Sequence, residues 1–311
     1  MKNLVPLFIL FLTISLFLSC EEEAEVSEII VGTKTLTLCK GDIATISYLI
    51  KPYRAENKSV KFTSKDSSIA EVSTTGIVTA KAEGKTQIIV ETEDGNFSET
   101  VEIRVLHGSP AEDSIALLKL YEIMYYKNWD LTKSMDKWEG VILNPNRRVL
   151  YINYDDIYIV GQIDTSIGNL SFLKSLRIYC SGWWSNFEIP AEIGLLSELE
   201  ELFLYYGFSG TIPKELGNLE NLKYLHLVNN YFSGSIPKEL GKLTNLHSLS
   251  LYENSLSGEI PKELENLKNL SNLNLRYNYL SGDIPQYLLQ RFDAYSFCPQ
   301  YGEGFNNLNC Y

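Results

Sequence analysis

A short motif recurs along the second half of the chain at a nearly constant interval. The dipeptide Ile-Pro appears five times, starting at Ile189-Pro190, and successive copies are 23, 24, 24 and 24 residues apart. A repeat of this length is one structural unit that cannot bury its own apolar side, so neighbouring copies must stack and share a continuous core. This requirement restricts the second half of the chain to an elongated fold in which each unit contacts only its neighbours.

The residues around each Ile-Pro define the unit more closely. Leu246, Leu249, Leu251 and Asn254 follow the pattern Leu-x-x-Leu-x-Leu-x-x-Asn, which recurs one unit earlier and one unit later. Together with the Ser-Gly that precedes each later Ile-Pro, the pattern resembles the plant-type leucine-rich repeat. The resemblance implies an α/β solenoid of about six repeats over residues 149–290, with a parallel sheet on its concave side. The Leu positions would point inward, and the pattern Asn would bond the backbone of adjacent coils.

Both ends of this array need covers. Residues 107–148 resemble the linker and N-terminal cap of such domains, because Trp138-Glu139-Gly140-Val141 matches the Trp-x-Gly-Val of the cap. Asp113-Ser114 predicts the start of a helix that runs from Ile115 to Tyr126. The cysteine pair of the family's cap is absent, so packing must hold this cap together. Residues 291–311 are expected to form the C-terminal cap.

Residues 28–106 have a different pattern. Short runs that alternate apolar and polar residues are separated by turn signals such as Lys40-Gly41-Asp42, which favours an antiparallel β-sandwich. The stretch from Phe62 to Val72, followed by Gly76 to Gly84, resembles the group 2 bacterial immunoglobulin-like domain. The resemblance implies a spacer module on an exported protein; independent ligand binding by this domain is the alternative.

The first 27 residues indicate export. Lys2 and the apolar run from Leu4 to Leu18 precede Ser19-Cys20 and three glutamates, which is typical of a signal segment. The stretch ending at Cys20 resembles a lipobox. The resemblance implies a signal peptide over 1–19, acylation of Cys20, an acidic tether over 20–27, and a lipid-anchored protein on the surface of the outer membrane. An ordinary signal peptide cut elsewhere, or an uncleaved anchor, is the alternative.

Two further covalent features are predicted. Cys298 and Cys310 lie close together near the end of the chain, and a disulfide between them would close a loop of 13 residues. Two free thiols are the alternative. Asp113-Ser114-Ile115 matches a short bacterial O-glycosylation motif, which makes Ser114 a candidate site for a glycan.

Composition and motifs narrow the class of function. The chain has 311 residues and a formal net charge of −12, which disfavours nucleic acid and anionic membrane surfaces as partners. Its three His residues lie in no nucleophile, zinc or phosphate motif. We therefore expect no enzyme activity, no metal and no cofactor, and we expect a monomer.

The outward positions of each concave strand can be assigned from the pattern, because side chains alternate along a strand. Aromatic residues occupy nine of the twenty positions assigned in this way. Exposed Tyr is common at binding surfaces, although a row of Tyr could equally stack to stabilise the sheet. Trp183 and Trp184 lie in an insertion of the second repeat. They either contact a ligand at the edge of the concave face or pack onto the N-terminal cap. The predicted ligand-binding residues are Arg177, Tyr179, Phe203, Tyr205, Tyr206, Tyr224, His226, Tyr252, Glu253, Arg276 and Tyr277.

These observations predict a surface-anchored binding or adhesion lipoprotein whose concave face recognises a protein or peptide. Two alternatives remain open. One is a glycan-binding accessory protein of an uptake system, and the other is a structural envelope protein.

Overall fold

The computed structural model describes residues 25–55, 57–93, 97–125, 129–152, 157–180 and 186–301. These residues form an N-terminal all-β domain followed by a capped solenoid. The signal segment, Cys20, the Trp183-Trp184 pair and Cys310 lie outside the described residues, so the predictions made for them stay predictions.

The N-terminal domain is a β-sandwich, as predicted. Its strands are β1 (Glu28–Val31), β2 (Thr35–Cys39), β3 (Ile43–Thr45), β4 (Tyr48–Lys51), β5 (Val60–Ser64), β6 (Ala70–Val72), β7 (Ile77–Ala80), β8 (Gly84–Thr92) and β9 (Ser98–Leu106). A four-stranded sheet in the order β2-β9-β8-β5 and a three-stranded sheet in the order β3-β7-β6 share one apolar core, beside the pair β1-β4. The antiparallel prediction was wrong at one edge, where β2 pairs with β9 in parallel, because alternation along a strand does not fix the direction of its partner. Ile88 and Val90 of β8 point into the core and are fully buried.

The N-terminal cap begins with helix α1 (Pro110–Ile123). The predicted start at Asp113-Ser114 was wrong: Ser109 is the capping residue, and its side chain accepts a hydrogen bond from the backbone N–H of Glu112. Pro110 fits the first helical position because its fixed φ suits a helix and no N–H is needed there. Asp113 lies inside the helix and is fully buried. Packing replaces the absent cysteine pair, since Trp129 stacks on Trp138 at 5.1 Å between ring centroids.

The solenoid consists of two parallel sheets joined by short 3₁₀ helices. The concave sheet begins with β10 (Val141–Leu143), antiparallel to β11 (Val149–Ile152), while all later pairings are parallel. It continues through β13 (Ser175–Cys180), β15 (Glu201–Tyr205), β17 (Tyr224–Val228), β19 (Ser248–Ser250) and β21 (Asn272–Asn274), with β12 (Ile157–Ile159) also beside β13. The second sheet contains β14 (Phe187–Glu188), β16 (Phe208–Thr211), β18 (Tyr231–Gly234), β20 (Ser255–Gly258) and β22 (Tyr279–Leu280).

Each coil closes through a 3₁₀ helix that starts directly after the repeated Pro. The Pro therefore sets the start of this turn as well as the end of the preceding segment. In the first repeat Asp164 takes the place of Pro, and its carboxylate accepts a hydrogen bond of 2.8 Å from the N–H of Ser166. The 3₁₀ helices are Met135–Lys137 in the cap, then Thr165–Asn169, Ala191–Leu195, Lys214–Asn218, Lys238–Lys242 and Lys262–Asn266. The last coil is followed by α2 (Gln286–Leu289) and a 3₁₀ helix at Ala294–Ser296.

The pattern Asn residues link neighbouring coils, as predicted. Asn254 is buried; its side-chain oxygen accepts a hydrogen bond from the N–H of Phe232 at 3.1 Å, and its amide donates to the carbonyl oxygen of Leu227 at 2.7 Å. Asn230 and Asn278 make equivalent bonds. Each Asn therefore satisfies backbone groups that the tight turn leaves unpaired in the interior.

Glycines in the 3₁₀ helices allow successive coils to approach closely. A methyl group on Gly194 would lie 2.5 Å from the carbonyl oxygen of Glu215 in the next coil, and Gly217 and Gly241 are placed in the same way. The equivalent position in the last coil is Glu265, which is exposed. The steric requirement for glycine thus ends where a differently built cap replaces the next coil.

A buried charge cluster joins the two domains. Arg148, which is fully buried, pairs with the carboxylate of Asp113 in the cap and donates to the sulfur of Cys39 in the N-terminal domain. It also donates to the backbone oxygen of His107 at 3.1 Å and to the hydroxyl of Ser171 at 3.2 Å. One side chain therefore connects the immunoglobulin-like domain, the linker, the cap helix and the first repeat.

Candidate concave binding face

The concave sheet presents its outward side chains in register from coil to coil. Because the parallel pairing is regular, Tyr179 lies beside Tyr205, and Arg177 lies beside Phe203. In the same way Phe203 lies beside His226, which is followed by Ser250 and Asn274 in the next two strands. The predicted ligand-binding residues of these strands are thus brought onto one face of the sheet.

The first part of this surface is an aromatic cluster made of Tyr179, Phe203, Tyr205, Tyr206 and His226, which we call the N-terminal aromatic cluster. Ring centroids are 4.6 Å apart for Tyr179 and Tyr205, and 4.8 Å apart for Phe203 and His226. Tyr206 is 51% exposed, whereas the other rings are partly covered by one another. The rings therefore pack against one another and still present an exposed surface. This arrangement is compatible with both predictions for the Tyr residues, ligand binding and stabilisation of the sheet.

Charges around this cluster are compensated locally. The guanidinium of Arg177 lies 4.6 Å from the ring centroid of Phe203 and 3.3 Å from the carboxylate of Glu201. Burial, together with the nearby positive charge of Arg177, lowers the pKa of His226 below its usual range. Its Nε2 lies 2.9 Å from the hydroxyl oxygen of Ser248. At neutral pH His226 is thus an uncharged hydrogen-bonding group.

The middle of the concave face is a trough lined by small side chains. Ser248 and Ser250 point to the concave side but are only 5% and 7% exposed, because larger neighbours stand on both sides. Tyr224 flanks the trough on one side and Asn272 on the other, each beside Ser248 in the sheet. The concave face is therefore divided into two elevated regions.

The second elevated region is a group of five tyrosines, which we call the C-terminal tyrosine cluster. The ring of Tyr252 is nearly perpendicular to that of Tyr277, at 83° and 5.3 Å between centroids. Tyr301 contacts Tyr277 at 5.6 Å and Tyr279 at 5.5 Å. Tyr295 joins through Arg276, whose guanidinium lies 5.2 Å from the ring of Tyr277 and 5.5 Å from that of Tyr295.

Sequence reasoning missed three members of this cluster. Tyr279 belongs to the second sheet, and Tyr295 and Tyr301 belong to the C-terminal cap, so none occupies an outward position of a concave strand. The cap brings them to the rim of the concave face after the last repeat. The density of tyrosine after residue 276 is the one signal that could have indicated them.

Several rim residues have a left-handed backbone. Tyr206, Asn229, Glu253 and Tyr277 occupy the same position of successive coils, with φ between 55° and 59°. Asn tolerates this conformation, but other side chains with a Cβ incur a cost of about 1–2 kcal/mol. Backbone strain of this kind is often associated with function.

The described residues contain no cluster suited to a metal ion and no helix suited to a membrane. Among the described residues, no group of three or more His, Cys, Asp or Glu side chains is arranged to hold a metal ion. The helices within those residues are all too short or too polar to span a bilayer. Ser114, the predicted glycosylation site, donates its hydroxyl to the carbonyl oxygen of Pro110 inside α1, and the preceding Asp113 is fully buried.

Two family models match the chain in separate regions. Residues 147–301 match the leucine-rich repeat region, and residues 25–103 match the bacterial Ig-like domain of group 2. The chain thus has an N-terminal immunoglobulin-like region followed by a leucine-rich-repeat solenoid, as its sequence predicted. Both are module types that typically bind other molecules or space domains apart.

Individual proteins resemble parts of the chain. An Ig-like virion protein of Serratia phage KSP90 is 36% identical over 81 residues, which is 26% of this chain and 31% of that protein. A plant ice-binding protein has a similar structure, with a TM-score of 0.53 and 27% identity over 61% of this chain and 64% of its own. The ectodomain of the receptor kinase SOBIR1 from Arabidopsis thaliana is 27% identical over 58% of this chain and all of its own, with a TM-score of 0.44. The chain thus spans less than a third of the phage relative and under two thirds of the ice-binding protein.

Proposed function

We propose that this protein is a surface-anchored lipoprotein that binds a protein or peptide through the concave face of its repeats. The observation that carries the proposal is the presence of two aromatic surfaces on the concave face, the N-terminal aromatic cluster and the C-terminal tyrosine cluster, with a trough between them. Tyr offers a large contact area and a polar hydroxyl at a small entropy cost, which suits recognition of a polypeptide.

The other parts of the chain support display of this face. The lipobox-like stretch at Cys20 would provide the anchor at the outer membrane, and acylation with more than one chain would make that anchor stable. The immunoglobulin-like domain would raise the repeats above the membrane. The Arg148 cluster supports a fixed direction for the concave face, because it bonds both domains and the linker between them.

A glycan ligand is the second candidate, and one observation favours it. Near Tyr252 the concave face carries the amides of Asn272, which is exposed, and Asn274, which is half-buried. Aromatic rings beside amide groups can stack on a sugar and bond its hydroxyls. This arrangement makes a glycan-binding accessory role testable in the same experiment.

The test is a binding screen of the anchored protein's exported portion, residues 27–311, on arrays of surface proteins, peptides and glycans. A Tyr205→Ser/Tyr252→Ser/Tyr277→Ser variant is screened beside it after its unfolding midpoint has been compared with that of the wild type. A hit that disappears in the variant supports the concave face and identifies the ligand class. A hit that the variant retains contradicts the proposed site, and a screen without hits favours a structural envelope role.

Lipidation is tested separately. Metabolic labelling with an alkyne fatty acid should label the wild-type protein and leave a Cys20→Ser variant unlabelled. Surface display is then read by protease accessibility in intact cells. Equal labelling of both proteins contradicts the lipobox assignment.

A further inference from the structure

The carboxylate of Glu253 stands among the rings of the C-terminal tyrosine cluster. The backbone N–H of Glu253 donates a hydrogen bond of 3.0 Å to the carbonyl oxygen of Arg276, which places Glu253 beside Tyr277 of the next coil. Burial and, after it, the negative charge of Glu253 raise the pKa of both Tyr252 and Tyr301. Glu253 is exposed, and in the described part of the chain no Lys, Arg or His forms an ion pair with it. Its carboxylate therefore remains available to a cationic ligand.

The rings around Glu253 have the geometry that attracts a positive charge. Tyr252 and Tyr277 meet almost at a right angle, so they form a corner, and Tyr301 extends the wall beyond Tyr277. The face of an aromatic ring carries partial negative charge, which attracts a cation and repels an anion. A corner of two such faces beside a carboxylate therefore favours a cation over an anion.

Arg276 is the positive charge nearest to this corner. Its guanidinium lies over the rings of Tyr277 and Tyr295, so two ring faces already stabilise its charge. It lies close enough to affect the pKa of Tyr252, in the opposite direction from Glu253. Arg276 will therefore weaken the binding of a second cation, and removing its charge should strengthen that binding.

Backbone strain at two of these residues is an independent observation. Glu253 and Tyr277 have φ values of 56°, whereas the equivalent residue one coil before Glu253 is Asn229, which suits that conformation. Asn in place of Glu253 would relieve the backbone strain at that position. A carboxylate and a ring are thus present where the fold alone would favour Asn.

We propose that Glu253, with the rings of Tyr252, Tyr277 and Tyr301, is a subsite for a positively charged side chain, Lys or Arg, of a polypeptide partner. The inference rests on the proposed function and specifies one contact of the ligand. The overall charge of −12 would further favour the approach of a cationic segment.

The experiment follows the tyrosine ring signals by NMR in protein labelled with ¹³C at tyrosine, during titration with blocked hexalysine and blocked hexaglutamate. Hexalysine should move the signals of Tyr252, Tyr277 and Tyr301, and hexaglutamate should not. Rings that do not respond to hexalysine at millimolar concentration, or that respond to hexaglutamate instead, would overturn the proposal.

Charge variants provide the matched controls. Glu253→Gln should weaken hexalysine binding at these rings by about 1.4-fold to fivefold, the range of an exposed ion pair. Arg276→Gln should strengthen it, because a repelling charge is removed. Glu259→Gln removes the same charge from an exposed position of the same repeat, off the concave sheet, and should change binding at the rings much less. An anion site would reverse the signs of the first two effects.

A strain variant separates binding from folding. Glu253→Asn should keep or raise the unfolding midpoint while weakening hexalysine binding, whereas a purely structural Glu253 would give a lower midpoint. The result is also distinguishable from failure of the proposed function. Suppose that the triple Tyr variant loses a partner that Glu253→Gln still binds with full affinity. This result would support binding by the concave face and contradict the cation subsite.

Discussion

Arg148 and Asp113 form an ion pair in which both side chains are fully buried, with 2.9 Å between Nη2 and Oδ1. The other carboxylate oxygen of Asp113 accepts a hydrogen bond of 2.7 Å from the N–H of Val149. In such a pair, the attraction between the charges and the added hydrogen bonds offset the free-energy cost of removing both charges from water. Either charge buried alone would be strongly destabilising. The pair ties the cap helix to the first repeat, in addition to the stacking of Trp129 on Trp138 within the cap.

The first prediction concerns this pair. Arg148→Met should destabilise the protein by about 3–5 kcal/mol, because the carboxylate of Asp113 would be left buried and uncompensated. The measurement is denaturant unfolding followed by circular dichroism. Arg147→Met is the control, since the neighbouring Arg147 side chain is 64% exposed and should contribute little. If Arg148→Met unfolds at the same denaturant concentration as Arg147→Met, the cluster is not a stabilising link.

The second prediction concerns the Asn ladder. Asn254→Ala leaves the N–H of Phe232 and the carbonyl of Leu227 without partners in the interior, and each buried unpaired group costs about 1–3 kcal/mol. The thermal midpoint should therefore fall by several degrees. Asn266→Ala is the comparison, because Asn266 is exposed at the end of a 3₁₀ helix. Equal midpoints for the two variants would contradict a ladder role for Asn254.

The third prediction concerns the close approach of coils. Gly241→Ala should destabilise the protein by about 1–3 kcal/mol, because the new methyl group would press on the backbone of Glu263 in the next coil. Glu265→Ala changes the equivalent position of the last coil and should be nearly neutral. Calorimetry of both variants checks the contrast. A neutral Gly241→Ala would mean that the coils can separate without cost.

The fourth prediction concerns pH. The pKa of His226 is lowered from 6.5 by burial and by Arg177, so on acidification the unfolded chain takes up a proton before the folded protein does. His226 therefore has no effect on stability well above pH 6.5, and it destabilises the folded protein as the pH falls through 6.5 toward the lowered value. Unfolding midpoints of the wild type and of His226→Gln, measured between pH 7.5 and pH 5 by roughly half-unit steps, should diverge in this window, with the variant less sensitive. Parallel curves would contradict the assignment.

The repeat period was sufficient to predict most of the solenoid, because one spacing sets the inward Leu, the Asn ladder and the register of the concave strands together. The immunoglobulin-like sandwich was predictable for a similar reason, since alternation and turn residues recur along it. Local signals predicted element boundaries less well where several residues could cap a helix. Ser109 caps α1, whereas Asp113 lies inside the helix and pairs with Arg148.

The candidate site was predicted less completely, because exposure depends on neighbours in space. Ser248 and Ser250 have outward positions in the pattern, yet larger side chains on adjacent strands cover them. Tyr301 joins Tyr277 only because the C-terminal cap folds back over the last coil, and no repeat pattern describes that cap. The left-handed backbone conformation of Glu253 likewise depends on the turn of its coil.

The glycine contacts between coils have a consequence for how the gene can change. The sequence Ile-Pro-Lys-Glu-Leu-Gly occurs at both residue 212 and residue 236, so a deletion or duplication between these copies would remove or add one whole coil and keep the glycine contacts on either side. Duplication would move Tyr205 and Tyr252 apart by one strand spacing, about 4.8 Å, whereas deletion would bring them together by the same distance and would also remove β17 with His226. A coil added after Glu265 would meet that side chain, whereas a coil added between Tyr205 and Tyr252 would change only the width of the concave face.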